Sequence, residues 1–198
     1  MLRRLLVLLT LVIVGGVLFF TLPLVGLSRF AGAVKSNNAV ALENRVDFNR
    51  LGRSLAPQIV WTYLEKTGRV NVLGRTVSSL VAGASASLAD PIIGELLTPE
   101  ALLSLLNGAQ VNIGNLRIQS ALVPLPKGDM GSLWRVFQNA EYGIGKINVS
   151  LPPSASQTAD QYRIHLELLQ WNWKLVAMDL PQNVRDQLAD ELVRRTGS

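Results

Sequence analysis

The chain has few residues of the types that commonly perform catalysis. His165 is its single histidine, and it contains no cysteine. The lack of cysteine excludes structural disulfides, thiolate metal sites and a cysteine nucleophile, and one histidine excludes a multi-histidine zinc site. His165 stands between Arg163 and Glu167 and alternates with apolar residues, which predicts the polar side of a strand. A general base is conceivable there, but we favour a solvated or locally paired histidine.

Two glycine-containing stretches approach catalytic motifs without matching them. Residues 83–87 (GASAS) resemble a nucleophile elbow, but Ser87 replaces the last glycine and no strand–turn–helix pattern surrounds them. Residues 143–146 (GIGK) have Ala140 and Ile147 where a phosphate-binding loop needs glycine and a hydroxyl residue. We therefore predict no catalytic residue, no metal ligand and no cofactor.

Trp171 and Trp173 are the predicted ligand-binding residues. They are two positions apart in a strand-like pattern, so they are expected on one face of that strand. Side chains placed in this way can line a ligand cavity, although packing in the core of the sheet is the interpretation that we prefer.

An uncharged, largely apolar run extends from Leu5 to Leu27. A helix over this run is about 34 Å long, which is enough for a hydrocarbon core of about 30 Å. A cleaved signal peptide is the alternative, with a small-residue site at residues 31–33, but its apolar stretch is usually shorter. We predict an uncleaved transmembrane anchor over residues 1–34, which contacts membrane lipid through residues 5–27.

The distribution of charge supports this division of the chain. Of the 19 lysines and arginines, four precede the first carboxylate at Glu43, which leaves 15 basic against 14 acidic residues afterwards. A near-neutral domain argues against nucleic acid as a partner. Two arginines in the short N-terminal tail favour a cytoplasmic N-terminus. We therefore place residues 35–198 on the side of the membrane opposite to the cytoplasm.

Helices are predicted first along this domain. One short helix follows Asn38, a longer one begins at an Asp47 cap and ends near Gly68, and Pro57 is expected to bend or divide it. Thr98 precedes Pro99 at another helix start. Residues 76–89 are expected to form a helix of small residues, and residues 183–195 an amphipathic C-terminal helix.

Strands are predicted after residue 108, where the spacing of apolar residues changes from a helical one to every second residue. The alternating segments are residues 111–118, with a break at Gly114, and residues 147–151, 162–168 and 173–177. Helices followed by strands indicate an α+β fold in which helices pack on a curved antiparallel sheet. A cone of the nuclear-transport-factor-like type is the form that we expect.

Four features resemble a known family. They are an apolar segment that contains Pro23 near its end, the helix pair that leads into residues 46–55, the Thr98–Leu102 helix start, and residues 173–181 (WKLVAMDLP). Together they are similar to the bacterial domain-of-unknown-function family numbered twenty-nine thirty-nine. The resemblance implies a membrane-anchored protein that faces the periplasm, and it implies no activity.

The favoured function is a non-enzymatic envelope module that binds a protein partner or a small apolar ligand beside the membrane. The alternative is an enzyme whose cone-shaped pocket uses a carboxylate or His165. Convergent titratable groups in one cavity would favour the enzyme, whereas an apolar groove would favour the binding module.

Overall fold

The computed structural model describes residues 28–68, 89–107, 109–113, 116–119, 140–151 and 161–197, together with Thr10, Gly26 and Gln138. The predicted small-residue helix over residues 76–89 lies outside this part of the chain except for Ala89. Of the predicted anchor over residues 1–34, the lipid-contacting run of residues 5–27 also lies outside it, except for Thr10 and Gly26.

Among the described residues, no helix has both the length and the apolar character needed to cross a membrane.

Within the described ranges, five helical segments precede the strands. Residues 28–35 form α1, Ala39–Glu43 α2, Phe48–Lys66 α3, residues 89–96 α4 and Pro99–Leu106 α5. The predicted caps are confirmed, because Asn38, Asp47 and Thr98 each accept a hydrogen bond from a backbone N–H three residues later. These bonds satisfy donors that a helix start leaves unpaired.

The predicted division of α3 at Pro57 is wrong: the helix is continuous, with Leu55 and Ile59 buried on either side of the proline.

In the part of the chain that the structure describes, six strands form two antiparallel sheets. Gln110–Ile113 (β1) pairs with Leu116–Gln119 (β2), and a second sheet has the order β3-β4-β5-β6. Its strands are Glu141–Gly143, Lys146–Leu151, Tyr162–Leu169 and Asn172–Asp179. The helix α6 (Gln182–Thr196) then closes the chain and ends at Gly197, which adopts a left-handed conformation. The α+β class with an antiparallel sheet is therefore confirmed.

One face of the four-stranded sheet carries the core. Alternate residues of β4 and β5 are buried, as expected of a strand with one face toward the core. In β6 the alternation changes phase at Val176, because Leu175 pairs with Leu166 while Ala177 pairs with His165. Val176 is thus the extra residue of a β-bulge, which bends the strand. The expectation that Ala177 shares a face with Trp173 and Leu175 is wrong for this reason; Met178 takes the core position instead.

The helix α3 lies along β6 and is fixed there by backbone contacts. Leu175 accepts a hydrogen bond from the N–H of Asp47 at 2.9 Å and donates one to Arg45 at 2.8 Å. Further along α3, the side-chain amide of Gln58 donates to the carbonyl of Met178 at 2.8 Å and accepts from the N–H of Leu180 at 2.9 Å. The hydrogen bonds just before α3 and those of Gln58 within it therefore hold the helix parallel to the edge strand β6.

The helix α1 is part of the domain core. Phe30 and Val34 are fully buried, and the carbonyl of Val34 accepts a hydrogen bond from the side-chain amide of Asn107 at 3.1 Å. One turn earlier, Gly26 lies so close to Trp173 that a Cβ atom at this position would overlap the indole ring. The start of the domain is therefore packed directly against β6.

A pair of glycine variants tests this packing. Gly26→Ala forces the indole of Trp173 to move, and we expect a loss of about 1–3 kcal/mol of stability from overpacking. Gly32→Ala is the matched control, because no described residue lies within 4 Å of its added methyl group. The control should gain up to about 1 kcal/mol, since alanine favours a helix over glycine. Equal unfolding midpoints for the two variants in tryptophan-monitored denaturation would contradict the contact.

Candidate functional site

A cleft of about 590 Å³ lies between the first two turns of α3 and the outer face of the four-stranded sheet. From the helix, residues 50, 53 and 54 share one side, because positions three and four apart are neighbours on a helix surface. From the sheet, the residues between the buried positions of β4 and β5 face the cleft. The lining is Arg50, Arg53, Ser54, Lys146, Asn148, His165, Leu166, Glu167, Val176 and Ala177.

Among the described residues of this lining, Glu167 is the one carboxylate. It forms ion pairs with two cations. Its Oε2 atom lies 2.7 Å from Nη1 of Arg50, and its Oε1 atom lies 3.3 Å from Nζ of Lys146. The hydrogen bond from Arg50 lowers the pKa of Glu167, with a further contribution from Lys146, against an opposing effect of burial. The same bond raises the pKa of Arg50. Glu167 is therefore ionised at neutral pH.

His165 is held at both ring nitrogens. Nδ1 lies 2.8 Å from Oδ1 of Asn148 on β4, and Nε2 lies 3.1 Å from Oδ2 of Asp179 at the end of β6. The amide nitrogen of Asn148 points toward Glu141 at 3.4 Å, which is consistent with its oxygen facing the histidine. The prediction that His165 lies on the polar side of a strand is confirmed, and the ring is locally paired rather than free.

Arg53 provides a charge that no carboxylate of the described residues neutralises. Its Nε atom donates to the carbonyl of Asn49 at 3.3 Å, and its side chain is exposed. Among the described residues, no acidic group lies within ion-pair distance of it. Counted over the described residues, the lining thus holds three cations against one carboxylate, which gives this part of the cleft a positive surplus.

A second, smaller cleft of about 300 Å³ adjoins the first at Asp179. Arg163 and Arg185 contribute cations to it, and the side chain of Gln58 lies at its floor beside β6. Because Asp179 lines this cleft and also contacts His165, the polar side of the sheet is continuous from one cleft to the other.

The two predicted ligand-binding tryptophans are separated by the structure. Trp173 is 6% exposed and packs in the core, whereas Trp171 is 87% exposed and lies in the turn between β5 and β6. The expectation that they share a face is wrong, because Gln170 and Trp171 form a two-residue turn with positive φ angles of 49° and 63°. Neither residue lines the described clefts.

Other sequence features have clear positions. Gly143 and Lys146 close the turn between β3 and β4, and the candidate histidine His165 lines the cleft. Residues 83–87 lie outside the described residues. Within the described ranges, no group of three or more acidic or histidine side chains is placed to hold a metal ion.

Sequence reasoning missed the cations of the cleft. Arg50 is three residues after the Asp47 cap, and Arg53 and Ser54 are three and four residues after Arg50. Lys146 precedes the buried Ile147 in an alternating strand. Those signals place each residue on a polar face. They do not reveal that the face of α3 and that of the sheet meet.

Comparisons with known proteins give one match. Residues 12–105 match the family model described as Protein of unknown function (DUF2939). The predicted resemblance to this family is confirmed over these residues. The DUF2939 match ends within α5, so it includes Arg50 and Arg53, whereas the strands that complete the cleft and the WKLVAMDLP motif follow it. No curated protein and no solved structure matches the chain. The expected cone of the nuclear-transport-factor-like type stays a prediction.

The carboxylate of Glu167 gives a pH-dependent prediction. A lowered folded-state pKa adds stability that is present above the ordinary glutamate pKa of 4.5 and is lost as pH falls through the folded value. We expect the wild-type unfolding midpoint to fall more steeply below pH 4.5 than that of Glu167→Gln. Glu43→Gln, at an exposed position outside the cleft, is the control and should follow the wild type. Parallel curves for all three proteins in a pH series of thermal denaturation would contradict the ion pairs.

Proposed function

We propose that the chain is a single-span envelope protein whose periplasmic domain binds an anionic ligand in the cleft between α3 and the sheet. Residues 5–27 would anchor it in the inner membrane with its N-terminus in the cytoplasm. The domain would then hold the cleft outside the membrane, as a binding module without catalytic turnover.

The surplus of cations in the cleft carries this proposal. Arg50, Arg53 and Lys146 converge there, and Glu167 compensates only part of their charge. Guanidinium groups recognise carboxylate and phosphate through paired hydrogen bonds. Arg53 is the best placed to do so, since it has no carboxylate partner among the described residues, and the polar residues Ser54 and Asn148 line the same cleft.

The same lining favours an anion over the apolar ligand expected from the tryptophans. Polar and charged side chains outnumber the apolar ones around the cleft, and Trp173 is used in the core. A polar cleft attracts an apolar molecule weakly, because its own polar groups would lose water without gaining partners.

We prefer binding to catalysis because the pKa of Glu167 is lowered. A general acid or base works best with a pKa near the operating pH, but the two cations lower the pKa of this carboxylate. Glu167 therefore orients Arg50 and Lys146 instead of exchanging protons near neutral pH.

An enzyme that uses His165 is the second candidate. The pair between His165 and Asp179, 3.1 Å apart at the edge of the cleft, supports it, because a carboxylate commonly orients a catalytic imidazole. The other ring nitrogen faces Asn148, which is not a nucleophile, and this arrangement argues for the binding module instead.

Inorganic phosphate serves as the probe for anion binding. In thermal denaturation of the full chain in detergent, phosphate should raise the unfolding midpoint relative to chloride at equal ionic strength. The double variant Arg53→Gln/Lys146→Gln should weaken phosphate binding about tenfold or more, since hydrogen bonds to charged groups contribute about 1.5–3 kcal/mol. Lys35→Gln, which removes an exposed cation outside the cleft, should bind phosphate as the wild type does. Equal binding by all three proteins would refute the cleft as the site.

His165→Ala separates the two candidate functions. A binding module should tolerate the change, so the variant should complement a deletion strain to nearly the wild-type level. Complete loss of complementation, with normal abundance and an unchanged unfolding midpoint, would favour the enzyme.

A further inference from the structure

Two large apolar side chains project from one end of the four-stranded sheet. Ile144 is 92% exposed in the turn between β3 and β4, and Trp171 is 87% exposed in the turn between β5 and β6. The strand register places both turns at the same end, because Lys146 pairs with Glu167 and Leu169 pairs with Asn172. Single exposed apolar residues are common on soluble proteins. Here, however, two of them occupy neighbouring hairpin tips.

This end of the sheet also receives the chain from its apolar N-terminal run. Gly26, the next-to-last residue of that run, contacts Trp173, and Trp173 pairs with Leu168 on β5. Leu168 in turn packs beside Gly145, which adjoins Ile144, and the N–H of Leu168 donates a hydrogen bond to the carbonyl of Gly145 at 2.9 Å. A continuous row of contacts thus connects the end of the apolar run to a hairpin tip.

Little chain separates the apolar run from the domain. Phe30 is buried in the core, and four residues after Gly26 correspond to a rise of about 6 Å in a helix. A membrane anchor that ends at Leu27 therefore holds this end of the sheet at the lipid headgroups, since no flexible linker intervenes in the helical residues 28–35.

A row of charged residues crosses the sheet just behind the tips. Lys146, Glu167 and Lys174 are neighbours in register across β4, β5 and β6, and the side chain of Lys146 is 66% exposed. Two cations flank one carboxylate in this row. Lysines just beyond apolar side chains suit a bilayer with anionic headgroups, because the apolar tips enter the interface while the ammonium groups face phosphates.

We propose that the β3–β4 and β5–β6 hairpin tips dock into the anionic membrane surface beside the anchor, with Ile144 and Trp171 inserted at the interface. This inference depends on the single-span anchor of the proposed function. Tryptophan is enriched at membrane interfaces because its ring is apolar while its N–H is polar. Docking at the tips would fix the orientation of the domain and hold Lys146, at one end of the cleft, close to the headgroups.

The absence of native cysteine permits a direct test with single labels. Ile144→Cys and Trp171→Cys carry an environment-sensitive fluorophore on the full chain, which is reconstituted into vesicles of phosphatidylethanolamine and phosphatidylglycerol. Brominated lipid in the vesicles should quench both labels, and both should be protected from acrylamide in the water. Asn183→Cys is the matched control, because it is exposed at the start of α6, beyond the opposite end of β6. Its label should respond to acrylamide and not to brominated lipid.

A fourth label separates this inference from the proposed anchor. Val14→Cys lies within the apolar run and should be quenched by brominated lipid if the run spans the bilayer. Quenching at position 14 with water-exposed labels at positions 144 and 171 would refute tip docking and leave the anchor in place. A water-exposed label at position 14 would refute the anchor itself.

Discussion

Two backbone hydrogen bonds at Leu175 determine how the two halves of the domain meet. They join residues 45–47 to the edge strand β6 as a short parallel bridge, immediately before the Asp47 cap. The start of α3 is thereby set beside the sheet, and its first two turns bring Arg50 and Arg53 over the outer face. Without this bridge the cations of the helix and the carboxylate of Glu167 would belong to separate surfaces. The bridge also covers part of an edge strand that would otherwise present unpaired backbone groups.

The elements that sequence analysis predicted well are those with local causes. The caps at Asn38, Asp47 and Thr98 depend on residues three positions away, and the alternation in β4 and β5 depends on one buried face. The bulge at Val176 has no such local signal, because it arises where β6 pairs with β5 on one side and with residues 45–47 on the other. The position of Trp171 was missed because a two-residue turn with positive φ is usually marked by glycine or asparagine, and here neither is present.

The candidate site was less predictable than the fold. His165 could be placed on a polar face from its neighbours alone. Its partners Asn148 and Asp179 come from two other strands, however, and Arg50 reaches Glu167 from a helix far earlier in the chain. Such long-range contacts depend on how the helices pack against the sheet. The spacing of apolar residues along the sequence does not contain that information. The DUF2939 match likewise covers the helical side of the cleft without the strands that face it.

The turn at Gln170 and Trp171 has a strained backbone, and it presents a large exposed ring that adds little to the stability of the domain. Two consecutive residues with side chains occupy the left-handed region, where each is strained by about 1–2 kcal/mol relative to glycine. The exposed indole of Trp171 recovers little of that energy inside the domain, because it makes few contacts there. The sequence Asn-Gly would form the same turn with less strain and would remove the ring. At this position the residue best suited to folding and the residue present are therefore different, and the exposed ring contributes little to the folding of its own domain.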